Sequence, residues 1–275
     1  PDQPGPDCRP LGGDELRVYW DAVQAQTPAL SDAKTDCTVV YSAMHGVGGE
    51  SVKTLLEEAG FSVHVVPEQF APDGLFPTVE FPNPEEEGAM DLAFALAQRV
   101  GADLVIANDP DADRLAVALP SDGGFRALNG NEVGILLGDF CMRHAEGGGL
   151  VAASVVSSEA LGALAAHYGF HWAQALTGFK WIMAEARRRP EHPFVFGYEE
   201  ALGYCIGGTV ADKDGISAAL AAGVEVTLSD MAPVAESTRS SAELAGGSAA
   251  AVLSTSALLP NLEANARLNG LPAQA

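Results

Sequence analysis

The chain has 275 residues, 47% hydrophobic and 19% charged, and this composition excludes a disordered polypeptide because it can bury a substantial core. Its 37 acidic and 15 basic residues give a formal net charge of -22, so the general surface field would repel nucleic acid and anionic lipid. We therefore expect no nucleic-acid partner and no membrane partner.

Targeting features and cysteine usage point to the compartment. The sequence contains no apolar run long enough to cross a bilayer, and its amino terminus lacks the basic flank and apolar run of a secretion signal. The cysteines are far apart and form no CxxC pair, which argues against a zinc or disulfide scaffold: Cys8, Cys37, Cys141 and Cys205. We expect a cytoplasmic protein. The first residue is Pro1 and not methionine, so a natural start further upstream stays open.

Short β-branched runs alternate with helical stretches from about Cys37 onward. In chain order they are the strand CTVVYSAMHG, the helix GGESVKTLLEEAGF, the strand FSVHVVPE, the helix PEEEGAMDLAFALAQRVGA and the strand DLVIAN. A β-α-β-α-β series is the signature of a parallel sheet covered by helices. We predict one α/β domain over residues 36–147, preceded by a lead-in at residues 1–35.

The alternation then restarts. A helix in RALNGNEVGILLGDFCMRH leads to glycines 147–149, and these are followed by the strand LVAASVVSS, the helix SEALGALAAHYGF, the turn and helix ALTGFKWIMAEARRRP, the strand and turn PFVFGYEEALGY, and a helix beginning in DKDGISAALAA. We predict a second α/β domain over residues 148–222, with the boundary near 146–149. The fold class is thus α/β, with two consecutive α/β/α sandwich domains and mixed, mostly parallel sheets.

The last segment of the chain, residues 223–275, has a different character. It is rich in Ala, Ser, Gly and Leu, and it contains neither lysine nor an aromatic residue. Such a segment has few large side chains to anchor it, and its helical periodicity is poor. We predict a poorly ordered carboxy-terminal tail.

The stretch NDPDADRLAV places Asp109, Asp111 and Asp113 at alternate positions directly after a predicted strand. Side chains at positions i, i+2 and i+4 of an extended or tightly looped segment can converge and offer three oxygens to one hard cation. Mg²⁺ fits best, because it often takes a remaining ligand from a phosphate, and Arg114 could grip a phosphoryl oxygen beside it. Open α/β sheets also bind ligands beyond the carboxyl ends of their strands. The sequence predicts a magnesium site here.

Two other interpretations of the aspartates stay open: a solvated acidic turn and the Asp-rich loop of a calcium site. A complete EF-hand is excluded, because Pro120 stands at the twelfth loop position, where that motif has Glu.

Three further stretches carry candidate binding residues. GYEEALGY sets Glu199 and Glu200 between glycines, where carboxylates can accept hydrogen bonds from sugar hydroxyls. TGFKWI sets Lys180 at a helix start after Gly178, a position that the helix dipole does not favour for a cation, so it could serve an anionic ligand or proton transfer. AMHGVGGES is a glycine-rich turn with His45 as a candidate proton carrier or supporting contact. The alternatives are an exposed acidic turn, a surface lysine and a structural histidine.

Taken in this order, the motifs resemble the α-D-phosphohexomutase superfamily, enzymes that move a phosphoryl group between two positions of a sugar phosphate through a sugar bisphosphate. The family has four domains around one cleft, and residues from about 36 to 220 look like its second and third. The resemblance implies Mg²⁺ on Asp109, Asp111 and Asp113, with Arg114 near the phosphate. It further implies sugar contacts from Glu199 and Glu200. The other substrate-binding residues that it implies are Gly178, Lys180 and His45, with Arg114 and Lys180 as catalytic residues.

The departures from the family pattern are equally specific. The family's phosphoserine lies in a Ser-His-Asn-Pro loop of domain one, and no SHNP occurs in this sequence. The tail also lacks the Arg and Ser-Gly-Thr loop with which domain four binds the distal phosphate, and Ala201 stands where many members have Ser. The EEALGY form is closer to the branch with pentose-phosphate and mixed hexose-phosphate mutases. We expect a fragment without family domains one and four that is inactive by itself.

Two other functional classes compete with a mutase core. One is a non-catalytic module that binds a sugar phosphate or a metal ion. The other is a phosphatase of the haloacid dehalogenase type, which also uses aspartates after a strand, although in a different spacing and with the first Asp as nucleophile. An aspartyl-phosphate trapped on Asp109 would favour the phosphatase.

Overall fold

The structure of the protein is a computed structural model, and it describes residues 12–27 and 37–231. Strands and helices alternate through most of this range, as the β-branched runs and helical periodicity indicate. In chain order the elements are α1 (Gly13–Gln26), β1 (Thr38–Ser42), α2 (Gly49–Glu58), β2 (Ser62–Val65), α3 (Pro67–Phe70), α4 (Asp91–Val100), β3 (Leu104–Ala107), β4 (Ala116–Ser121), β5 (Gly124–Ala127), α5 (Gly130–His144), β6 (Leu150–Ser154), α6 (Ala160–Tyr168), β7 (His171–Ala175), α7 (Phe179–Arg188), β8 (Phe194–Glu199), β9 (Gly203–Ile206) and α8 (Gly215–Met231).

The first sheet has the strand order β2-β1-β3-β4-β5. Strand β1 pairs in parallel with β2 and β3, whereas β4 and β5 form an antiparallel hairpin at one edge. Both β1 and β3 are buried along nearly their whole length, which matches their continuous apolar runs. Because β1 and β3 are parallel, their carboxyl ends lie side by side, at Ser42 and Ala107, and the loops that follow them meet there.

The second sheet has the order β7-β6-β8-β9. Strand β6 pairs in parallel with β7 and β8, and β9 returns antiparallel to β8 after the short turn that carries Glu200. Each sheet is therefore mixed, with two parallel and two antiparallel pairings in the first and two parallel and one antiparallel in the second, and helices pack on both. The predicted fold class, two consecutive α/β/α domains, is confirmed.

Helix α5 differs from the sequence prediction in the sheet that it covers. It lies before the predicted boundary at 146–149, yet it packs on β8, where a Cβ added at Gly134 would lie 2.3 Å from the Tyr198 ring. Gly138 approaches the Phe196 ring in the same way, at 3.3 Å. The glycines of the helix therefore pack on the second sheet. The sequence indicated an apolar helix, but it did not show on which sheet the side with Gly134 and Gly138 would pack.

Helix α8 corrects the prediction for the carboxy-terminal segment. A weakly ordered stretch from residue 223 was expected, but residues 223–227 are helical and buried. Gly223 lies against Leu56 and Phe61, where the absence of a side chain lets α8 approach α2 closely. Small residues thus serve close helix packing here, and their lack of bulk does not indicate disorder. Residues 232–275, the rest of the predicted tail, lie outside the described residues.

The predicted lead-in at residues 1–35 contains an unpredicted helix, α1. Arg17 of α1 contacts Glu58 of α2 at 2.6 Å, and the Tyr19 hydroxyl donates to Asp214 at the start of α8 at 2.8 Å. These polar contacts attach α1 to both the first sheet's helix layer and α8. Residues 1–11 and 28–36 lie outside the described residues.

The buried apolar side chains form one large cluster that takes residues from both sheets, including Val39 and Leu104 of the first and Phe196 and Tyr198 of the second. A smaller cluster lies under α7, around Ile182. None of the helices in the described part of the chain has the length and hydropathy needed to cross a bilayer.

Candidate functional site

The aspartate loop begins directly after β3, at the carboxyl edge of the first sheet. Carboxylate oxygens of Asp109, Asp111 and Asp113 all lie within 4.8 Å of one another. Asp109 is buried, Asp111 is exposed and Asp113 is intermediate, so the group opens from the sheet edge toward solvent. The structure thus brings together the three side chains that the alternate spacing singled out, and their role as metal ligands stays a prediction.

Backbone and buried polar contacts hold the loop in shape. The buried Asn108 accepts a hydrogen bond from the Tyr41 hydroxyl at 3.0 Å and donates from Nδ2 to the Arg114 carbonyl at 2.6 Å, which closes the two ends of the loop. Ala112 has a φ of 58°, an uncommon conformation for a residue with a side chain. This reversal between Asp111 and Asp113 helps to turn alternate carboxylates toward one point.

The carboxylates create an environment that suits a cation. The pKa of Asp109 is raised to about 6, chiefly by burial and also by the neighbouring charges of Asp113 and Asp111, although the hydrogen bond from the Arg114 amide to Asp109 Oδ1, 3.0 Å long, lowers it. A bound cation would offset both the burial and the mutual repulsion. Because the donors are all carboxylate oxygens, the group fits a hard ion such as Mg²⁺.

Two basic side chains border the aspartates. Arg114 Nε lies 3.4 Å from Asp109 Oδ2 and 3.8 Å from Asp113 Oδ1, and it keeps about a third of its side chain exposed. Lys213 Nζ lies 2.8 Å from Asp113 Oδ2. Lys213 was not predicted from the sequence as a site residue, although the DKDG stretch that carries it was noted. Its approach depends on how β9 and α8 are placed beside the loop, which no local pattern reveals.

The second acidic pair lies where β8 turns into β9. Glu199, the last residue of β8, is buried, and its Oε1 accepts a hydrogen bond from the Gly178 amide at 2.6 Å. Glu200 Oε2 accepts hydrogen bonds from the hydroxyls of Ser154 and Ser157 at 3.0 and 2.9 Å. The two carboxylates are therefore held in fixed directions and are not a freely solvated turn.

Ser154 and Ser157 are the other residues that the sequence prediction missed. Ser154 is the last residue of β6 and Ser157 follows shortly after it, in the stretch SVVSSE, which was interpreted simply as a strand and a helix start. The available signal was the position of polar residues at the carboxyl end of a central strand, next to the strand that carries Glu199 and Glu200.

The aspartate loop and the Glu200 turn meet directly. Arg114 forms an isolated antiparallel bridge with Gly203, and the Leu115 amide donates to the Leu202 carbonyl at 3.0 Å. On the other side, the Gly215 amide donates to the Ala112 carbonyl at 3.0 Å. A loop of the first sheet is thus hydrogen-bonded to β9 and α8, so the two acidic groups belong to one junction between the sheets.

The remaining predicted residues contact side chains and backbone other than the aspartates. Gly178 precedes α7 and contacts Glu199, and Lys180 is exposed, with Nζ 5.5 Å from the centre of the Trp181 ring. His45 is buried, and its Nε2 lies 2.8 Å from Thr78 Oγ1. Within the described part of the chain, neither Lys180 nor His45 forms a hydrogen bond or ion pair with the aspartates.

The chain matches two family models in tandem. The model described as "Phosphoglucomutase/phosphomannomutase, alpha/beta/alpha domain II" matches residues 17–123, and that described as "alpha/beta/alpha domain III" of the same family matches residues 129–245. These models place α5 in the second unit, as its packing on β8 does.

Curated proteins and solved structures agree with this match. The chain is 48% identical over 205 residues to the "Probable phosphomannomutase" of Haemophilus influenzae, which covers 73% of this chain and 41% of that protein. It is 42% identical over 201 residues to the phosphopentomutase of Homo sapiens, covering 68% of this chain and 33% of the relative. The chain thus spans less than half the length of these two relatives.

A crystal structure of a phosphoglucomutase/phosphomannomutase family protein from Burkholderia thailandensis shares the fold, with a TM-score of 0.63 at 18% identity over 77% of this chain and 43% of that one. The order of the two family models, the relatives and the shared fold lead to the same assignment. The chain belongs to the α-D-phosphohexomutase superfamily, of which it carries the second and third α/β/α domains.

Proposed function

We propose that this chain is the metal-binding and sugar-binding core of a magnesium-dependent phosphosugar mutase, which transfers a phosphoryl group between the 1-position and the 6- or 5-position of a sugar phosphate. The observation that carries the proposal is the junction between the sheets. It joins the three aspartates to the turn that carries Glu199 and Glu200 through the Arg114–Gly203 bridge. The candidate metal ligands are thereby held next to the carboxylates that can accept hydrogen bonds from sugar hydroxyls.

Each group has a distinct task in this proposal. Asp109, Asp111 and Asp113 hold the metal ion, which supplies positive charge beside a phosphoryl oxygen in transfer. Arg114, partly exposed to solvent and anchored on Asp109, donates hydrogen bonds to that phosphoryl group. Glu200 and Glu199, oriented by the Ser154 and Ser157 hydroxyls and by the Gly178 amide, accept hydrogen bonds from sugar hydroxyls.

Other parts of the reaction need residues that the matched domains do not supply. The 275 residues contain no Ser-His-Asn-Pro loop, and the chain spans 41% of the Haemophilus influenzae relative. We infer that the phosphoryl donor and the distal-phosphate site come from family domains one and four. A sugar bisphosphate would then be the intermediate that turns over between two half-reactions, and the isolated chain would bind it without turning it over.

The proposal is tested by binding and turnover on the purified chain. Isothermal titration calorimetry should show that glucose 1,6-bisphosphate binds more tightly with Mg²⁺ than with a chelator. Asp111→Asn should remove the difference, and Glu200→Gln should weaken sugar binding while leaving Mg²⁺ binding unchanged. Glucose 1-phosphate, mannose 1-phosphate and ribose 1-phosphate, each with a bisphosphate primer, should not be interconverted. An affinity for glucose 1,6-bisphosphate that changes neither with Mg²⁺ nor with the Glu200→Gln substitution would contradict the proposal.

A second candidate is a non-catalytic module that binds a sugar phosphate and a metal ion. The observation that favours it is that these 275 residues carry both acidic groups but no phosphoserine motif. The gene sequence on both sides of this segment distinguishes the two candidates. A Ser-His-Asn-Pro loop encoded upstream in the same frame supports the mutase, whereas a complete reading frame without it supports the binding module.

A further inference from the structure

The turn after β1 has an uncommon backbone conformation. Met44 and His45 are consecutive residues with φ values of 46° and 60°, in the left-handed region that residues other than glycine rarely adopt. Such conformations persist where the surroundings determine them, and they are concentrated at functional sites. Both side chains are buried, so the turn is held from inside the first domain.

A polar network, buried at Ser42, His45 and Gln69 and exposed at Thr78, fixes this turn. The Ser42 hydroxyl donates to Gln69 Oε1 at 2.7 Å and accepts from the Met44 amide at 3.1 Å. Gln69 Nε2 donates to Thr78 Oγ1 at 3.0 Å, and Thr78 Oγ1 lies 2.8 Å from His45 Nε2. The His45 amide completes the ring of contacts by donating to the Gln69 carbonyl at 2.8 Å.

The same turn contacts the aspartate loop at the residues between the aspartates. A Cβ added at Gly46 would lie 2.4 Å from the Cα and carbonyl oxygen of Pro110, and the Val47 amide donates to that carbonyl at 2.9 Å. A Cβ added at Gly48 would lie 2.8 Å from the Ala112 Cβ. The glycines of the turn thus lie in close contact with Pro110 and Ala112, so a shift of the turn would move these two residues. Those two residues set the spacing of the three carboxylates.

We propose that the His45–Thr78 pair is a positioning device for the metal loop. It holds the Met44–His45 turn in its left-handed conformation, and through Gly46 and Gly48 the turn holds the aspartates in register. The inference rests on the proposed function, since it concerns the same metal site. It gives His45 a task other than the substrate contact predicted from the sequence: its buried imidazole contacts the exposed Thr78 and acts through the backbone.

The test separates metal affinity from stability. Mn²⁺ titrations followed by electron paramagnetic resonance report the free ion, and an Asp111→Asn variant defines the non-specific binding expected of a chain with net charge -22. Thr78→Val keeps the side-chain shape but removes the hydroxyl. We expect it to weaken Mn²⁺ binding about tenfold, the lower end of the range for residues that support metal ligands. Thr78→Ser restores the hydroxyl and should restore the affinity.

Thr38→Val, the same substitution at the opposite end of β1, is the matched control and should bind Mn²⁺ like the wild type. Should Thr78→Val not fold, His45→Asn decides instead, because Asn tolerates a positive φ but cannot reach Thr78 in the same way. It too should bind Mn²⁺ about tenfold more weakly.

Two results overturn the inference in different ways. If Thr78→Val lowers the melting temperature but binds Mn²⁺ like the wild type, the pair is only structural and the metal site stands. If the wild-type chain binds no more Mn²⁺ than Asp111→Asn, the proposed metal site itself falls, and the positioning role falls with it.

Discussion

Asp109 is an acidic side chain placed where its own charge is unfavourable. It is only 6% exposed, and burial together with two nearby carboxylates outweighs the Arg114 amide that stabilises its ionised form. A residue that costs stability and is nevertheless supported by Asn108 and Tyr41 is what a binding site requires, because the ligand supplies the missing charge. The same feature makes its effect on stability measurable.

We predict that Asp109→Asn stabilises the metal-free protein at pH 8. The folded-state pKa of about 6 exceeds the ordinary value of 3.8, so the folded state retains the proton that the unfolded state loses. Stability due to this group therefore falls as pH rises from about 4 to 6 and stays lower above that range. The isosteric amide avoids the loss, and we expect a gain of about 1 to 3 kcal/mol in the free energy of unfolding.

Urea denaturation of both proteins with a chelator, at pH 4 and at pH 8, measures the difference. The gain should be small at pH 4 and full at pH 8. Added Mg²⁺ should reverse the order by stabilising the wild type alone, through preferential binding to its folded state. An Asp109→Asn protein that is less stable than the wild type at pH 8 with chelator would refute the prediction.

At the scale of single residues, the sequence was sufficient to identify site residues that lie close together in the chain. Three aspartates at alternate positions need only a loop to converge, so they could be identified. Lys213 is 100 residues from Asp113 in the chain and reaches it only because Gly215 packs on the Ala112 and Arg114 carbonyls. His45 was identified, but its partner Thr78 lies in the irregular stretch between α3 and α4, where no periodicity guides prediction.

Helix α5 shows how an element positions the second acidic group. It begins at Gly130 after the Asn129 cap, whose side chain accepts from the Glu132 amide at 3.0 Å. The first turn then lies against the backbone of Glu200, since a Cβ added at Gly130 would be 1.7 Å from the Glu200 carbonyl oxygen. The first turn of α5 thus packs directly against the turn between β8 and β9 and fixes its position.

Gly130→Ala is accordingly expected to destabilise the protein by about 1 to 3 kcal/mol, the usual cost of overpacking a backbone contact. It should also weaken sugar-phosphate binding, because the Glu200 turn must move. Thermal unfolding and calorimetry measure the two effects. Gly13→Ala, at the start of α1 with nothing within 4 Å of the added Cβ, is the control and should leave both unchanged. A Gly130→Ala protein with unchanged stability would contradict the described packing.

Helix α8 is attached by a buried ionic network. Arg143 of α5 donates to Asp139 at 2.7 Å and to both carboxylate oxygens of Glu225 in α8 at 2.7 Å, and the Tyr168 hydroxyl donates to Asp139 at 2.8 Å. Asp139 and Glu225 are both about 5% exposed. The guanidinium therefore offsets two buried negative charges and links three helices.

Replacing Arg143 by Ala should cost about 3 to 5 kcal/mol of unfolding free energy, because it removes the cation between two buried carboxylates. Arg17→Ala is a matched control, since Arg17 also contacts two acidic residues but is exposed, and it should cost much less than Arg143→Ala. Chemical denaturation of both variants provides the comparison. Equal losses for the two would show that the network around α8 does not hold the fold.

Several elements missed from the sequence have a weak local pattern, although β4, whose first four residues are buried, was missed as well. Strand β7 has the sequence HWAQA and only two buried side chains. Its alternation of polar and apolar residues is too short to be recognised between the two neighbouring helices. Strand β5 occupies residues that were assigned to the start of α5, and Gly88, with a φ of 81°, lies in the region assigned to α4, which begins only at Asp91. By contrast, β1, β3, β6 and β8 have continuous apolar runs and were predicted, because central parallel strands are buried on both faces.

The whole molecule has a main core that does not divide between the two domains. Apolar residues of both sheets belong to the same buried cluster, and α8 contributes Ala218 and Val224 to it. Backbone hydrogen bonds from Leu115 to Leu202 and from Gly215 to Ala112 cross between the parts. The sequence indicated two successive units from the repeated β-α pattern, but the shared core depends on tertiary packing that this pattern does not show.

Thermal unfolding should therefore be a single cooperative transition. We expect the calorimetric and van't Hoff enthalpies to agree and the signals of Trp181, in the second unit, and Tyr41, in the first, to change at one temperature. Circular dichroism and fluorescence, the latter with a Trp181→Phe variant as reference, make the comparison. Two separated transitions would show that the domains unfold independently.

The contact of Gly215 with the Ala112 carbonyl has a consequence for the protein during its synthesis. The ribosome releases the aspartate loop about a hundred residues before Gly215, at roughly 5 to 20 residues per second, so many seconds separate the two events. During that interval the loop has its contacts with the turn after β1 but lacks its backbone hydrogen bonds to Leu202 and Gly215. The complete loop, with every backbone contact that surrounds the three aspartates, therefore forms only after the start of α8 has emerged.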